Sequence, residues 1–234
     1  MDFNFKQFSL NHSHSTLKVG TDAVLLGAWT EISSHAKNIL DIGCGCGVIA
    51  MILAQKSNCR IVGIDIHRPS VDEAQENAQH SKFCNQLDFK WLSLQDFVAT
   101  TTEKFDLIVS NPPFFDHALL SPIEKRNLSK HTQTLSFEDL VFSVCKLLTN
   151  KGKFAVILPD YSVENFENIC SRNGLFCQKL CRIYPKPNKN VNRTMLLFAR
   201  GKTNKVVDSM IIRTIDNEYT QAYKNLTKDF YLKF

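Results

Sequence analysis

No stretch of the 234-residue chain approaches the roughly 18 consecutive apolar residues that a membrane helix needs. The opening Met1-Asp2-Phe3-Asn4-Phe5-Lys6 has neither a basic segment nor a continuous apolar one, so no secretory leader is expected. The eight cysteines include no repeated C-x-x-C pair. That spacing argues against a disulfide framework and against a zinc site, and no metal is expected. Internal repeats, low-complexity linkers and a clear domain boundary are also lacking. The expectation is a cytoplasmic protein with free thiols, built as one domain over 1–234. At 44% hydrophobic and 22% charged residues the chain is not disordered, collagenous or a coiled coil.

The net charge of +5 is unevenly placed. Residues 1–100 carry 8 Lys/Arg against 10 Asp/Glu, and residues 101–234 carry 20 against 13. A basic second half suits a polyanionic partner, most often nucleic acid, or is simply a solvated surface.

Short β-branched runs alternate with helical stretches. Strands are expected at 38–43, 60–66, 87–94, 105–110 and 153–158, and helices at 48–56, 70–80, 137–148 and 161–173. This rhythm implies an α/β fold with a mostly parallel, Rossmann-like sheet and helices on both faces. Near the end the rhythm changes. Cys181–Tyr184 and Thr194–Ala199 are separated only by Pro185 to Arg193, too short for a crossover helix, so an antiparallel C-terminal hairpin is expected. Seven strands result, with a further strand and helix in 205–234 packed on the domain. Tyr219, Tyr223, Leu226 and Phe230 recur at helical spacing and read as a core-facing stripe.

Asp41-Ile42-Gly43-Cys44-Gly45-Cys46-Gly47 lies between a strand and a helix. Its glycines permit positive φ and close approach of a ligand, and the helix behind offers free N–H groups. Val48 stands where the dinucleotide fingerprint G-x-G-x-x-G needs its third glycine, which weakens a pyrophosphate reading. The acid at Asp41 would repel a pyrophosphate but suits a cationic ligand end, such as the ammonium and sulfonium of S-adenosylmethionine. Asp65 closes the next strand, where an acid can accept both ribose hydroxyls. Asp96 follows the third strand and could accept from an adenine amine. Each acid taken singly could instead cap a helix. Cys44 and Cys46 read as small fillers.

Val109-Ser110-Asn111-Pro112-Pro113-Phe114 is the most specific signal in the chain. Two prolines after a strand freeze a turn. The Asn111 side-chain oxygen and the Pro112 carbonyl can then accept from one planar amine. Two such acceptors favour a tetrahedral nitrogen and expose its lone pair, while Phe114 offers a stacking face. The plain alternative is a structural Pro-Pro turn with a packed Phe.

The glycine loop and the N-P-P-F turn together resemble class I S-adenosylmethionine-dependent N6-adenine (or amide-N) methyltransferases. Two further stretches, 17–29 (LKVGTDAVLLGAW) and 226–232 (LTKDFYL), are similar to those of the bacterial tRNA adenine-N6 methyltransferases that modify the adenosine 3′ of a valine anticodon. The resemblance runs from about residue 5 to the end. It implies that residues 1–37 cover the cofactor, through Lys18, Gly20, Thr21 and Asp22. It also implies that Asp41, Gly43, Gly45 and Gly47 hold the methionine part and Asp65 the ribose, with Ile66 beside it. Asp96 and Phe97 hold the adenine. Asn111, Pro112, Pro113 and Phe114 hold the target amine, and Asn111 also borders the cofactor. Phe114 replaces the commoner Tyr and loses only a hydroxyl. The tRNA would be met by Lys125, Arg126, Lys130 and His131 in a loop after the turn, by Lys186, Lys189 and Arg193 in the hairpin connector, and by Lys224 and Lys228.

Two other readings remain open. A glutamine-amide methyltransferase acting on a protein such as a release factor uses the same pocket chemistry, but such enzymes carry a helical domain ahead of the glycine loop. Only 40 residues precede Asp41 here. A non-catalytic RNA-binding protein on the same scaffold would not need Asp41, Asp65 and Asn111 intact. No obligatory protein partner is implied.

Overall fold

The structure, a computed structural model, describes residues 2–15, 18–112 and 135–233. The alternation of strand and helix appears as β3 (Asn38–Ile42), α2 (Val48–Lys56), β4 (Arg60–Asp65), α3 (Arg68–Gln79), β5 (Leu87–Trp91), α4 (Leu94–Thr100) and β6 (Phe105–Ser110). It continues as α5 (Phe137–Leu147), β7 (Leu148–Pro159), α6 (Val163–Arg172), β8 (Leu175–Tyr184), β9 (Arg193–Arg200), β10 (Val206–Ile211) and α7 (Gln221–Thr227). Ahead of it stand β1 (Asp2–Asn4), β2 (Ser9–Asn11) and α1 (Thr21–Trp29).

Among the described residues one eight-stranded sheet has the order β10-β8-β9-β7-β6-β3-β4-β5. Seven strands run in one direction, and β9 runs antiparallel to β7 and β8. The expected C-terminal hairpin is therefore β8–β9. The strand expected in 205–234 is β10, which joins the same sheet at its edge and brings the count from seven to eight.

Period-two alternation sorts the strand residues onto two faces. Ile39, Ile61, Leu107, Val109, Ala155, Ile157, Met195 and Leu197 pack beneath α1, α2, α3 and α7. Leu40, Ile42, Val62, Ile64, Ile108, Phe154, Val156, Leu158 and Leu196 pack beneath α4, α5 and α6. Each such side chain contributes about 1.5–3 kcal/mol on full burial. Both faces being covered explains why β3, β6 and β7 read as nearly continuous apolar runs.

Several elements differ from the sequence expectation: β7 starts at Leu148 rather than at 153, β8 starts at Leu175 rather than at Cys181, and α4, β1 and β2 have no expected counterpart. The third strand stops at Trp91 rather than Leu94, because Ser93 caps α4: its hydroxyl accepts from the Asp96 N–H at 3.0 Å. Helix α1 was not anticipated from periodicity. The stripe at the C-terminus is inward-facing as expected: Tyr223 and Phe230 are buried, and Tyr219 and Leu226 pack against the same cluster. The chain's two ends meet there. Phe5 pairs with Tyr231 across a β-bridge, and the Lys6 N–H donates to the Phe230 carbonyl at 2.8 Å.

Candidate functional site

The seven co-directional strands finish along one edge of the sheet, and open α/β sheets bind ligands at that edge. β3 and β6 are neighbours there, with Ile42 opposite Ser110. The buried Ser110 hydroxyl donates to the Ile42 carbonyl at 2.9 Å, which fixes the two strand ends together. The glycine loop leaves β3 at Gly43 and Asn111-Pro112 leaves β6 one residue after Ser110. The two motifs singled out in the sequence are therefore side by side. Asn111 is half-buried and Pro112 buried. Pro113, Phe114, Lys125, Arg126, Lys130 and His131 lie outside the described residues.

Gly43, Gly45 and Gly47 have φ of 72°, 53° and 88°, all in the left-handed region. A Cβ on Gly43 or Gly45 would meet nothing within 4 Å, so both present open backbone to whatever fills the loop. A Cβ on Gly47 would stand 3.0 Å from the Phe89 ring. Burial pushes the Cys46 thiol up to about 11 and the Cys44 thiol well above its ordinary range, so both stay protonated and serve as packing.

Asp41 is fully buried at the end of β3. Its Oδ2 accepts from the Ala50 N–H at 3.2 Å, but its Oδ1 has no partner among the described residues. Burial pushes the carboxyl up to about 7, against the pull of the Ala50 N–H and with help from the Asp65 charge. A buried acceptor without a donor is costly. It fits a ligand that brings a cationic donor. Asp65, one strand away, accepts from the Gly45 N–H at 2.9 Å and the His67 N–H at 2.8 Å. Those bonds aim the carboxylate at the edge and leave lone pairs on both oxygens.

Beyond Asp65, Ile66 is 57% exposed, an apolar surface beside the loop. The Trp91 indole N–H donates to the Ile66 carbonyl at 3.0 Å, and the Arg68 guanidinium lies 5.1 Å from the Trp91 ring centre. Asp96 sits in the first turn of α4, with one carboxylate oxygen accepting from Ser93 Oγ at 2.6 Å. The Phe97 ring is buried against Phe105, so only its backbone can face the edge.

The segment expected to cover the site is tied down by α3. Asn77 accepts from the Asn11 N–H at 2.8 Å and donates to the Asn11 carbonyl at 2.9 Å. It also donates to the Cys46 carbonyl of the glycine loop at 3.0 Å. One turn earlier Glu73 accepts from the backbone N–H groups of His14 and Ser15, each at 3.1 Å, and from the Ser15 hydroxyl. Burial alone would raise the Glu73 carboxyl, but these bonds outweigh it and hold it below its usual range. The sequence reading missed Glu73 and Asn77. Their only local signal is a pair of polar residues four apart on an otherwise amphipathic helix.

Gly20 precedes α1 and Asp22 lies in its first turn. Asp22 is ion-paired with Arg193 at the start of β9, Nε to Oδ2 2.8 Å. Arg193, expected to meet RNA, is thus also the partner of a residue expected to cover the cofactor. Lys186 is half-buried and Lys189 exposed in the β8–β9 connector on the same edge. Lys18 is exposed and Thr21 opens α1. Lys224 lies in the last turn of α7 and Lys228 just after it, on the side where Lys6 Nζ donates to the Lys228 carbonyl at 2.6 Å.

The tether makes a testable statement. Asn77→Ala removes three hydrogen bonds and is expected to cost about 1–3 kcal/mol of stability. Amide exchange of Asn11 through Ser15 should rise with it. Exchange that stays at the wild-type rate contradicts the tether.

Residues 33–222 match a family model described as a methyltransferase domain. The chain is 38% identical over 234 residues to a tRNA1(Val) (adenine(37)-N6)-methyltransferase of Haemophilus influenzae, covering 99% of each chain. It is 40% identical over 231 residues to the protein of the same name from Phocaeicola vulgatus, covering 98% of this chain and 97% of that one. Solved structures support the fold. A predicted O-methyltransferase of Agrobacterium tumefaciens superposes with a TM-score of 0.69 at 17% identity, over 89% of this chain and 96% of the other. A Thermus thermophilus 16S rRNA N2 G1207 methyltransferase, in complex with AdoMet and guanosine, gives 0.58 at 19% identity over 86% of this chain and 50% of the other. With near-complete mutual coverage at this identity, the chain belongs to the tRNA1(Val) (adenine(37)-N6)-methyltransferase family.

Proposed function

We propose that this protein transfers a methyl group from S-adenosylmethionine to the exocyclic N6 of adenosine 37 in the anticodon loop of a valine tRNA. The observation that carries the reading is the placement of Asn111-Pro112 directly beside the glycine loop, in a chain whose full-length relatives bear that activity's name. When bound, S-adenosylmethionine supplies a methyl group on a sulfonium, an electrophile that needs no further activation.

The unpartnered Oδ1 of Asp41 supports a role in receiving the cationic amino end of the donor, with Gly43, Gly45 and Gly47 giving the backbone room beside it. Asp65 would accept the ribose hydroxyls, and Ile66 would cover the adenine. Asp96 would accept from the adenine amine through the oxygen not bonded to Ser93, with the Phe97 backbone alongside. Lys18, Gly20, Thr21 and Asp22 would close the site from the N-terminal side, held there by the α3 tether.

Asn111 and the Pro112 carbonyl would accept the two N–H bonds of the adenine amine. That draws the nitrogen toward tetrahedral geometry and turns its lone pair to the donor, while Phe114 and Pro113 keep the base in place. No strong base is required, because the methylated nitrogen is acidic enough to lose its proton to water. Alignment then supplies most of the rate. Lys125, Arg126, Lys130, Lys186, Lys189 and Arg193 would contact phosphates, which positions RNA without reading sequence. A loop adenosine is cheaper to extrude than a paired one. Action on tRNA also suits a cytoplasmic location, and the single large sheet through the described residues suits one domain.

The direct test is incubation with methyl-labelled donor and unmodified tRNA, followed by nucleoside mass spectrometry, with a release factor run in parallel. N6-methyladenosine at position 37 of the valine tRNA is expected, and label on the release factor alone contradicts the reading. Asn111→Ala should lower kcat by about 10²–10³, the scale of losing one preorganised polar contact at a reacting atom, with donor affinity within about twofold.

A pH profile tests Asp41. Its folded-state value near 7 lies above the ordinary 3.8, so ionising it costs stability as pH rises from about 4 to about 7. A ligand ammonium binds the ionised form. Calorimetric donor affinity should therefore strengthen by about fivefold from pH 6 to pH 7, where the donor's α-amino group stays protonated, and Asp41→Asn should flatten the profile. A wild-type profile flat over that range removes the assignment.

A further inference from the structure

β7 runs three residues past the row of Ser110 and ends at Pro159, opposite Arg193 of β9. A single 3₁₀ turn, Asp160–Ser162, then leads into α6. The turn is anchored on both sides of Tyr161. Asp160 Oδ1 accepts from the hydroxyl of Thr194 at 2.7 Å, and Thr194 is fully buried. Ser162 Oγ donates to the Pro159 carbonyl at 2.8 Å. Yet the Tyr161 ring is 68% exposed, and among the described residues it makes no hydrogen bond or ring contact. A rigid turn therefore holds a large aromatic face in solvent, where it serves no core.

The turn stands on the edge that carries Asn111, one strand over and about four residues further along it, so roughly 10–14 Å away. On its other side the surface is basic. Arg182 of β8 is exposed, with Nε 3.9 Å from Asp160 Oδ1, and Lys186 and Lys189 follow in the connector. An exposed aromatic face bordered by cations is the composition of a single-strand nucleic-acid surface. A solvated tyrosine would need neither the anchoring nor that border.

We propose that Tyr161 is a stacking platform for a nucleotide next to the target adenosine, with Arg182, Lys186 and Lys189 along the phosphates that follow. The proposal rests on the tRNA-methyltransferase reading of the site and extends its RNA track from β6 across β7 to β8. A target base turned in toward Asn111 and a neighbouring base turned out onto Tyr161 would bridge that separation, as unstacked bases of a single strand can. Stacking of this kind is sequence-tolerant, because every base has a π-face.

The test uses the full chain and an anticodon stem-loop RNA carrying 2-aminopurine beside the target adenosine. Wild type should quench the 2-aminopurine on binding. Tyr161→Ala should abolish the quench and raise both the RNA dissociation constant and the KM for tRNA by about tenfold, with kcat and donor affinity within about twofold. Tyr161→Phe should restore all of these, and Tyr161→Leu, which keeps apolar bulk without the ring, should not. Wild-type values in Tyr161→Ala overturn the proposal, as does an equal loss of donor affinity or melting temperature, which would mark a fold effect. A wild type that binds the RNA but transfers no methyl group to it defeats the functional reading and leaves the platform standing on the quench.

Discussion

The β3–β6 junction governs the rest of this molecule. Ile42 and Ser110 face each other at the last shared rung of two parallel strands, and a buried hydroxyl closes the rung at 2.9 Å. The strands are 68 residues apart in the chain, yet their next residues are the glycine loop and Asn111. Without that register the glycine loop and Asn111-Pro112 would not stand side by side. The junction lies between two apolar layers whose strand residues alternate with period two. A slip of one residue would turn every one of those side chains to the wrong face. The register is thus set by the whole core, and the site inherits its precision from packing well away from it.

Electrostatics adds a second constraint. Asp41 is a fully buried acid, with one oxygen accepting from the Ala50 N–H and the other without a partner among the described residues. Such a group is poorly suited to a merely structural position, since an apolar or amide side chain would be cheaper there. Asp65 is the opposite case: both oxygens are held by backbone N–H groups and face the sheet edge. On the proposed reading the two acids would offer different chemistry a strand apart, one to a cation and one to neutral hydroxyls. That division matches a donor with a charged amino-acid end and an uncharged ribose.

The catalytic half of the molecule was legible in the sequence because its signals are local. A glycine loop after an apolar run, an acid at the next strand end and two prolines after a third strand each declare themselves within a few residues. Helix α2 was found at its observed ends for the same reason. Helix α1 was not, because TDAVLLGAW runs apolar after its first two residues and shows no stripe; its centre, Val24–Gly27, is buried. The contacts of Glu73 and Asn77 span 31 to 66 residues, and the Asp22–Arg193 pair spans 171. Nothing local announces such contacts. Arg193 is an example: its pairing with Asp22, across the whole chain, could not be read from the sequence around it. Tyr161 was hidden for another reason, since only the fold reveals that an anchored turn leaves its ring outside.

The central claim is that donor and acceptor meet where β3 and β6 end. A crystal structure with S-adenosylhomocysteine, the demethylated donor, tests it most directly. The account predicts the ligand along Gly43–Gly47, its amino group toward Asp41, its ribose on Asp65 and its sulfur facing the Asn111 side chain. A ligand bound elsewhere, or an Asn111 carbonyl turned away from the sulfur, would contradict it.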